Sequence, residues 1–441
     1  MPSGRCDRAS IRARGRSLVD DTSALHRSWR PRLCAGRDHR GLPERLFPAR
    51  DPRVKRSGFV SPAPEARAAL DRELLDWMAE PEWQRDETRF ETLALGVFAH
   101  QFHHCPPYAR FAEARGCTPE RVTDWREIPP VPTGAFKEVA LRGFSSAETV
   151  KTFRTSGTSG QKRGALHLDT LALYEASLLA SLETLLVPDR RSKSAEGGQS
   201  EPIHIRVLAP SATEMPESSL SHMFETFVAK FGSRASGFDI VEGHLCIESL
   251  IEHLQHAQES GEPVLLCGTA FSFVHLLEKL GPQGREFCCP PGSRLMETGG
   301  FKGQSREMPA ADLYAGLERL LGISPSHMVN QYGMTELGSQ FYDSVWIDPE
   351  GPRRKIGPPW TRVRLLDPET GLEVKPGEPG MVVIYDLANS GSVAAIQTAD
   401  LGRAVPAPGG GPTGFEILGR RPGAEARGCS IAADEMLGTD A

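Results

Sequence analysis

Three short segments concentrate side chains able to handle a charged ligand. The densest is Thr155-Ser156-Gly157-Thr158-Ser159-Gly160-Gln161-Lys162-Arg163-Gly164, with three glycines, four hydroxyls and two cations in ten residues. Such a loop can turn its N–H groups and side chains towards an anion. It lacks the GxxxxGKS/T pattern, which disfavours a P-loop NTPase. Composition alone equally allows a flexible turn. The second segment, Asn330-Gln331-Tyr332-Gly333-Met334-Thr335-Glu336, follows the apolar pair Met328-Val329. A carboxylate and a hydroxyl beside an aromatic ring, at the end of a strand, are placed where open α/β sheets bind ligands. By itself it is equally a strand-end turn. The third is Gln397-Thr398-Ala399-Asp400-Leu401-Gly402-Arg403, followed by Gly419-Arg420-Arg421.

Elements must hold these segments in place. Leu70, Leu74, Trp77 and Met78 recur at helical spacing after Pro64, and Phe90, Leu93, Val97, Phe98 and Phe102 do so in a second helix. A third helix is predicted over 170–186, with Asp169 as its cap. Ile203, Ile205 and Val207 read as a strand, and Val264–Cys267 as one buried on both faces. Leu220, Phe224, Phe227 and Val228 follow the first at helical spacing, as Phe273, Leu276 and Leu277 follow the second. A strand and turn over Leu295–Gly300 precede a helix over Ala310–Leu321. Alternation of this kind predicts a layered α/β sheet. From Arg362 the pattern changes to an antiparallel hairpin, with Val363 and Leu365 facing Met381–Tyr385 across a turn at Asp367–Gly371.

The chain is 441 residues long with a net charge of −6, and it carries its charge unevenly. Residues 1–60 hold fourteen Arg and one Lys against six acids, a net of +9, so 61–441 carry −15. The opening stretch shows no apolar period. It reads as a disordered tail, or as sequence upstream of the true start. No aromatic platform or groove-reading motif accompanies its arginines, so a nucleic-acid partner is not expected. No run of about eighteen apolar residues occurs, which excludes a spanning helix, and no membrane partner is expected. The nine Cys are scattered without framework spacing, and no secretory leader is evident, which together point to reduced thiols in the cytoplasm. His100, His103, His104 and Cys105 cluster at a helix end, without a second ligand group at finger spacing, and read as imidazoles at a helix terminus rather than a metal site. The domains expected are the basic 1–60, an α/β domain over 61–360, a small β subdomain over 361–418, and a hinge with a short C-terminal segment over 419–441.

Taken in order, TSGTSGQKRG, YGMTE, TADLGR and GFEILGR resemble the signature segments of the adenylate-forming acyl-CoA ligase and luciferase superfamily. Within it the chain is most similar to the short acyl-protein synthetases of LuxE type. Ile128-Pro129-Pro130-Val131-Pro132 with Phe136-Lys137, Glu297-Thr298-Gly299-Gly300-Phe301-Lys302 and Arg427-Gly428-Cys429-Ser430 carry that likeness, which spans about Pro62 to Leu437. The resemblance implies an adenylate-forming domain with a truncated C-terminal segment. It implies ATP-dependent activation of a carboxylic acid, expected to be a fatty acid, and transfer of the acyl group to a protein thiol. ATP and Mg²⁺ are the cofactors it implies, with a reductase, transferase or carrier protein as the acyl-exchanging partner.

The same resemblance implies residue roles. Thr155, Ser156, Gly157, Thr158, Ser159, Gly160 and Lys162 would grip the β- and γ-phosphates of ATP. Gly299, Gly300 and Phe301 would lie along the adenine, with Tyr332 and Gly333 stacking on or packing against the base and Met334 also among the ATP-binding residues. Thr335 would bond the α-phosphate, Glu336 would hold Mg²⁺, Asp400 would take the ribose hydroxyls and Arg420 would sit at the hinge. Gly268, Thr269 and Phe271 would border the acyl pocket, and Cys429 would accept the acyl group as a thioester. Arg420, Arg421 and Arg427 would favour its thiolate if they lie near it in space. Cys429 also reads as an ordinary tail cysteine, and Cys288-Cys289, in a Pro-rich turn, has less support. Two departures stand out. Longer superfamily members have a lid lysine that contacts the α-phosphate, whereas no Lys follows Arg420 here, and TAD replaces the commoner TGD. A CoA or carrier-protein ligase of phenylacetate type, and a catalytically silent binding partner, are the alternative readings.

Overall fold

The computed structural model describes residues 64–81, 83–156, 162–189, 201–299, 308–407, 413–420 and 436, all within the compact unit Val60–Ala441. Three helices open it: α1 Pro64–Ala79, α2 Glu87–His104 and α3 Pro106–Ala114. Asp86 caps α2 by accepting the Arg89 N–H at 2.9 Å, and Phe90, Leu93, Val97 and Phe98 form its buried face. His100 and His104 stack at 4.3 Å between ring centroids, and no cluster able to hold a metal is found among the described residues. Short elements follow: strand β1 Val131–Pro132, helix α4 Ala135–Glu138, and the antiparallel ribbon of β2 Lys151–Arg154 and β3 Ala165–Leu168.

Helix α5 runs from Ala172 to Leu185. Its N-cap is Leu171 without a side-chain bond, so the expected Asp169 cap is not formed. Asp169 instead pairs with Arg67 of α1, a long-range ion pair winning over a local turn.

The alternating part comprises β4 His204–Leu208, α6 Ser219–Phe231, β5 Gly237–Phe238, β6 Ile240–Val241, β7 His244–Leu245, α7 Ile247–Ser260, β8 Val264–Thr269, α8 Ala270–Leu280, β9 Arg294–Thr298, α9 Ala310–Leu321 and β10 Met328–Tyr332. Strands β5, β4, β8, β9 and β10 are parallel neighbours in that order. Alternate residues point to opposite faces. Leu265, Cys267, Met296 and Val329 join one core cluster with α2, α5 and α6. Val264, Leu266, Leu295 and Met328 join a second with α7, α8 and α9. Both faces are therefore covered, which is why these strands read as continuous apolar runs. Even the polar positions of β4 are buried: His204 packs against His253, and Arg206 pairs with Asp239.

The chain then turns antiparallel through β11 Phe341–Asp343, β12 Lys355–Ile356, β13 Thr361–Leu366, β14 Gly380–Asp386, β15 Ala395–Val405 and β16 Gly414–Arg420. The expected β13–β14 hairpin is present, with Val363 opposite Ile384. Strand β16 pairs with β12, so the antiparallel strands continue the same sheet, which has twelve strands in all, β1 included, through its pairing with β15. No described helix is long and apolar enough to cross a membrane.

Candidate active site

The parallel strands end on one side of the sheet. Register pairs Leu208 with Gly268, Thr269 with Thr298, and Thr298 with Gln331. The residues that follow these ends, Gly299 and the turn 333–336, therefore share one crevice, the usual place for a ligand in an open α/β sheet.

The hydroxyl-rich loop is carried to that crevice by the β2–β3 ribbon, in which Arg154 lies opposite Ala165. Its stem closes tightly: the Thr155 N–H donates to the Gly164 carbonyl and the Gly164 N–H to Thr155 Oγ1, both at 2.9 Å. Arg163 Nε donates to the Thr155 carbonyl at 2.6 Å. Glu217 bridges the two sides of the stem, 2.7 Å from Arg154 and 3.2 Å from Arg163. Lys162 pairs with Glu138 of α4 at 2.8 Å, and both side chains are exposed. Ser156 is exposed at the loop entrance, and Gly157, Thr158, Ser159 and Gly160 lie outside the described residues.

Glu336 meets this stem. A β-carbon built on Gly164 would lie 3.2 Å from Thr155 Cγ2 and 3.5 Å from Glu336 Oε1, so the acid adjoins the base of the loop. The Glu336 side chain is buried, and its backbone carbonyl accepts the Asn389 side-chain amide at 2.7 Å. Gly333, Met334 and Thr335 lead into it, with Met334 and Thr335 half-buried. The Glu336 carboxylate is a hard oxygen donor, and a magnesium ion takes few carboxylates plus phosphate oxygens and water. The donor chemistry fits that ion.

Tyr332 ends β10 with its ring among Phe341 and Phe415, at centroid distances of 6.1 and 5.9 Å. Its hydroxyl donates to Asp400 Oδ2 at 2.8 Å, and Arg420 Nε lies 3.3 Å from Asp400 Oδ1. Asp400 and Arg420 are opposite each other in the β15–β16 register. Burial, and then the Asp400 charge, hold the Tyr332 phenol far above its ordinary value, so it remains a hydrogen-bond donor. Behind it lies a buried polar network. Lys355 Nζ is 2.7 Å from Asp343 and 2.9 Å from the Asn330 carbonyl, while Asn330 Nδ2 donates to Glu297. Burial raises the Glu297 carboxyl, an effect opposed by Asn330 and Lys355.

On the acyl side the named residues serve different ends. Gly268 is in close packing, since a β-carbon there would lie 3.0 Å from Leu208 and 3.2 Å from Phe273. Thr269 caps α8 through the Ser272 N–H at 3.1 Å, and Phe271 is 43% exposed at the start of the same helix. Gly300, Phe301 and Cys429 lie outside the described residues. Burial pushes the Cys289 thiol up to about 12, which keeps it protonated and a poor acceptor, while Cys288 is exposed.

Sequence reading missed Glu217 and Asn389. Each acts on a backbone or a stem far away in the chain, and neither stands in a motif; a lone acid or amide in a loop carries no signal.

The fold is shared with solved ligases. It superimposes on 2-hydroxyisobutyryl-CoA ligase, in an open conformation with 2-HIB-AMP and CoA, at a TM-score of 0.52 and 16% identity, covering 77% of this chain and 76% of that one. Two relatives, the long-chain-fatty-acid–luciferin-component ligases of Vibrio harveyi and Aliivibrio fischeri, are 24% and 25% identical over 374 and 376 residues. Each alignment covers 82% of this chain and 93% of the relative. The family model described as acyl-protein synthetase, LuxE, matches residues 68–438, and the chain belongs to that family.

Proposed function

We propose that the chain joins a long-chain fatty acid to ATP as an acyl adenylate, and passes the acyl group to a protein thiol. The observation that carries this reading is the meeting of the Thr155–Gly164 stem with the buried Glu336 at the end of the parallel strands. The acid class follows the names of the two relatives.

Adenylation brings two anions together, so charge must be neutralised before positioning helps. One carboxylate oxygen attacks the α-phosphorus, the bond to the bridging oxygen breaks, and pyrophosphate leaves. The acid is already ionised near pH 7, so no general base is required. Thr155 to Gly160 with Lys162 bind the β- and γ-phosphates, and Thr335 bonds the α-phosphate. Gly299, Gly300 and Phe301 line the adenine, Tyr332, Gly333 and Met334 pack on it, and Asp400, steadied by Tyr332 and Arg420, takes the ribose. Glu336 holds Mg²⁺, which supplies charge neutralisation on the triphosphate. Gly268, Thr269 and Phe271 border the acid. The thiol of Cys429 on this chain gives up its proton to solvent, and the thiolate then attacks the acyl carbon; the thioester forms and AMP leaves. A partner reductase, transferase or carrier protein exchanges the acyl group, and the reaction takes place in the cytoplasm, where thiols stay reduced.

ATP–pyrophosphate exchange with a panel of carboxylic acids tests the first half. Exchange with no acid, partners included, would sink the reading. Labelled acid with ATP tests the second: hydroxylamine-sensitive label on the wild type, absent from Cys429→Ser, is expected, and label surviving that substitution rules out Cys429.

A further inference from the structure

The segment that bears Glu336 is tied to Asp386, the last residue of β14, and to the loop 387–394 that leads on to β15. Asp386 accepts both the N–H and the hydroxyl of Ser339 at 2.7 Å. Asn389, 1% exposed, donates its side-chain amide to the carbonyl of Glu336 itself at 2.7 Å. The backbone of Asn389 is fixed in turn, because its carbonyl accepts Gln101 Nε2 of α2 at 2.9 Å. The other end of Gln101 accepts the Ala394 N–H at 3.1 Å, which closes the loop onto the helix.

Two features mark the amide as more than packing. Asn389 Oδ1 is buried with no hydrogen-bond partner among the described residues, a state that opposes folding. Its approach also requires glycine at 338, where a β-carbon would lie 3.0 Å from Asn389 Oδ1 and 2.9 Å from Ala388 Cβ. An apolar side chain of the same shape would avoid the unpaired oxygen; what it would lose is the donor to Glu336.

We infer that Asn389 is a positioning residue for adenylation: its amide fixes the Glu336 peptide and thereby directs the Glu336 carboxylate towards the base of the 155–164 loop. The inference rests on the proposed reading of Glu336 as the magnesium-holding acid. Misplacement of such a group by about 1 Å is enough to cost on the order of a hundredfold in rate.

The test uses the full chain and α,β-methylene-ATP, whose scissile position cannot be cleaved, titrated by calorimetry at increasing MgCl₂, with thermal unfolding of every variant. Asn389→Ala should raise the MgCl₂ concentration for half-maximal nucleotide binding by about tenfold, the scale of one buried hydrogen bond. Weak binding without magnesium should be unchanged. Asn389→Asp, which keeps the volume and exchanges donor for acceptor, should shift it at least as far, and carries the test if the alanine variant does not fold. Glu336→Gln should show the largest shift. A wild-type magnesium midpoint in both Asn389 variants, with Glu336→Gln shifted, overturns the positioning role alone. A wild-type midpoint in Glu336→Gln overturns the assignment of Glu336, and the role of Asn389 with it.

Discussion

The Tyr332 hydroxyl donates to Asp400 Oδ2 across 2.8 Å, tying the last residue of a parallel strand to the middle of an antiparallel one. Asp400 is 7% exposed, so this bond fixes the carboxylate before any ligand arrives. Tyr332→Phe removes it and leaves a buried acceptor unpaired. Stability should fall by about 1–3 kcal/mol. The KM for ATP should rise by about tenfold, corresponding to about 1.4 kcal/mol, with the KM for the acid unchanged. Thermal unfolding and exchange kinetics read both; an unchanged ATP KM separates Tyr332 from nucleotide binding.

Glu336→Ala should abolish adenylation while the fold survives. Asn389 holds the Glu336 carbonyl, which alanine keeps, so the turn retains its tie. A loss of at least about 10²-fold in kcat is expected from removal of a charge-stabilising group. Pyrophosphate exchange with circular dichroism as the folding control measures it, and wild-type exchange in this variant contradicts the assignment.

Lys162→Ala should act far more mildly. The Lys162–Glu138 pair is exposed on both sides, and such pairs contribute about 0–1 kcal/mol. The melting temperature should stay put, and the ATP requirement should rise as for one cation among several. Insensitivity of both KM and kcat would place Lys162 outside the phosphate site.

Acid should destabilise the chain in a defined window. Burial, with the neighbouring His104, lowers His100 to about 4, and burial with His253 lowers His204 to about 4. The unfolded chain protonates both below the ordinary value of 6.5 while the folded chain does not, so stability is lost as pH falls from 6.5 towards 4. Asp386 works against this. Burial pushes it up to about 6, so it is protonated in the folded chain where the unfolded one is ionised, and its contribution is lost as pH rises. Urea unfolding between pH 4 and 7 should show stability falling on acidification. Asp386→Asn should steepen that fall and His204→Asn should flatten it; the reverse order would refute the sign of either shift.

Much of this was legible because strong periodicity has one solution. Ala310–Leu321 reads as a helix from its apolar spacing and folds over those residues. The glycine- and hydroxyl-rich segment and the Tyr332–Glu336 turn stand out because their residue types are unusual together. Long-range side-chain bonds were not legible. Asp169 suits a helix cap by position, yet Arg67, 102 residues away, takes it. Asn389 is an ordinary loop amide until the fold brings it against a carbonyl 53 residues earlier.

Lys355 and Phe415 form the sole register pair between β12 and β16, while β15 and β16 share six. The narrowest join of the sheet thus lies within its antiparallel part, two strands beyond the change of direction at β10–β11, and Tyr332 and Asp400 stand on either side of it. Amides around 355 and 415 should exchange with deuterium ahead of those in β8 and β14, and a bound nucleotide, stapling the two halves across that seam, should slow them most.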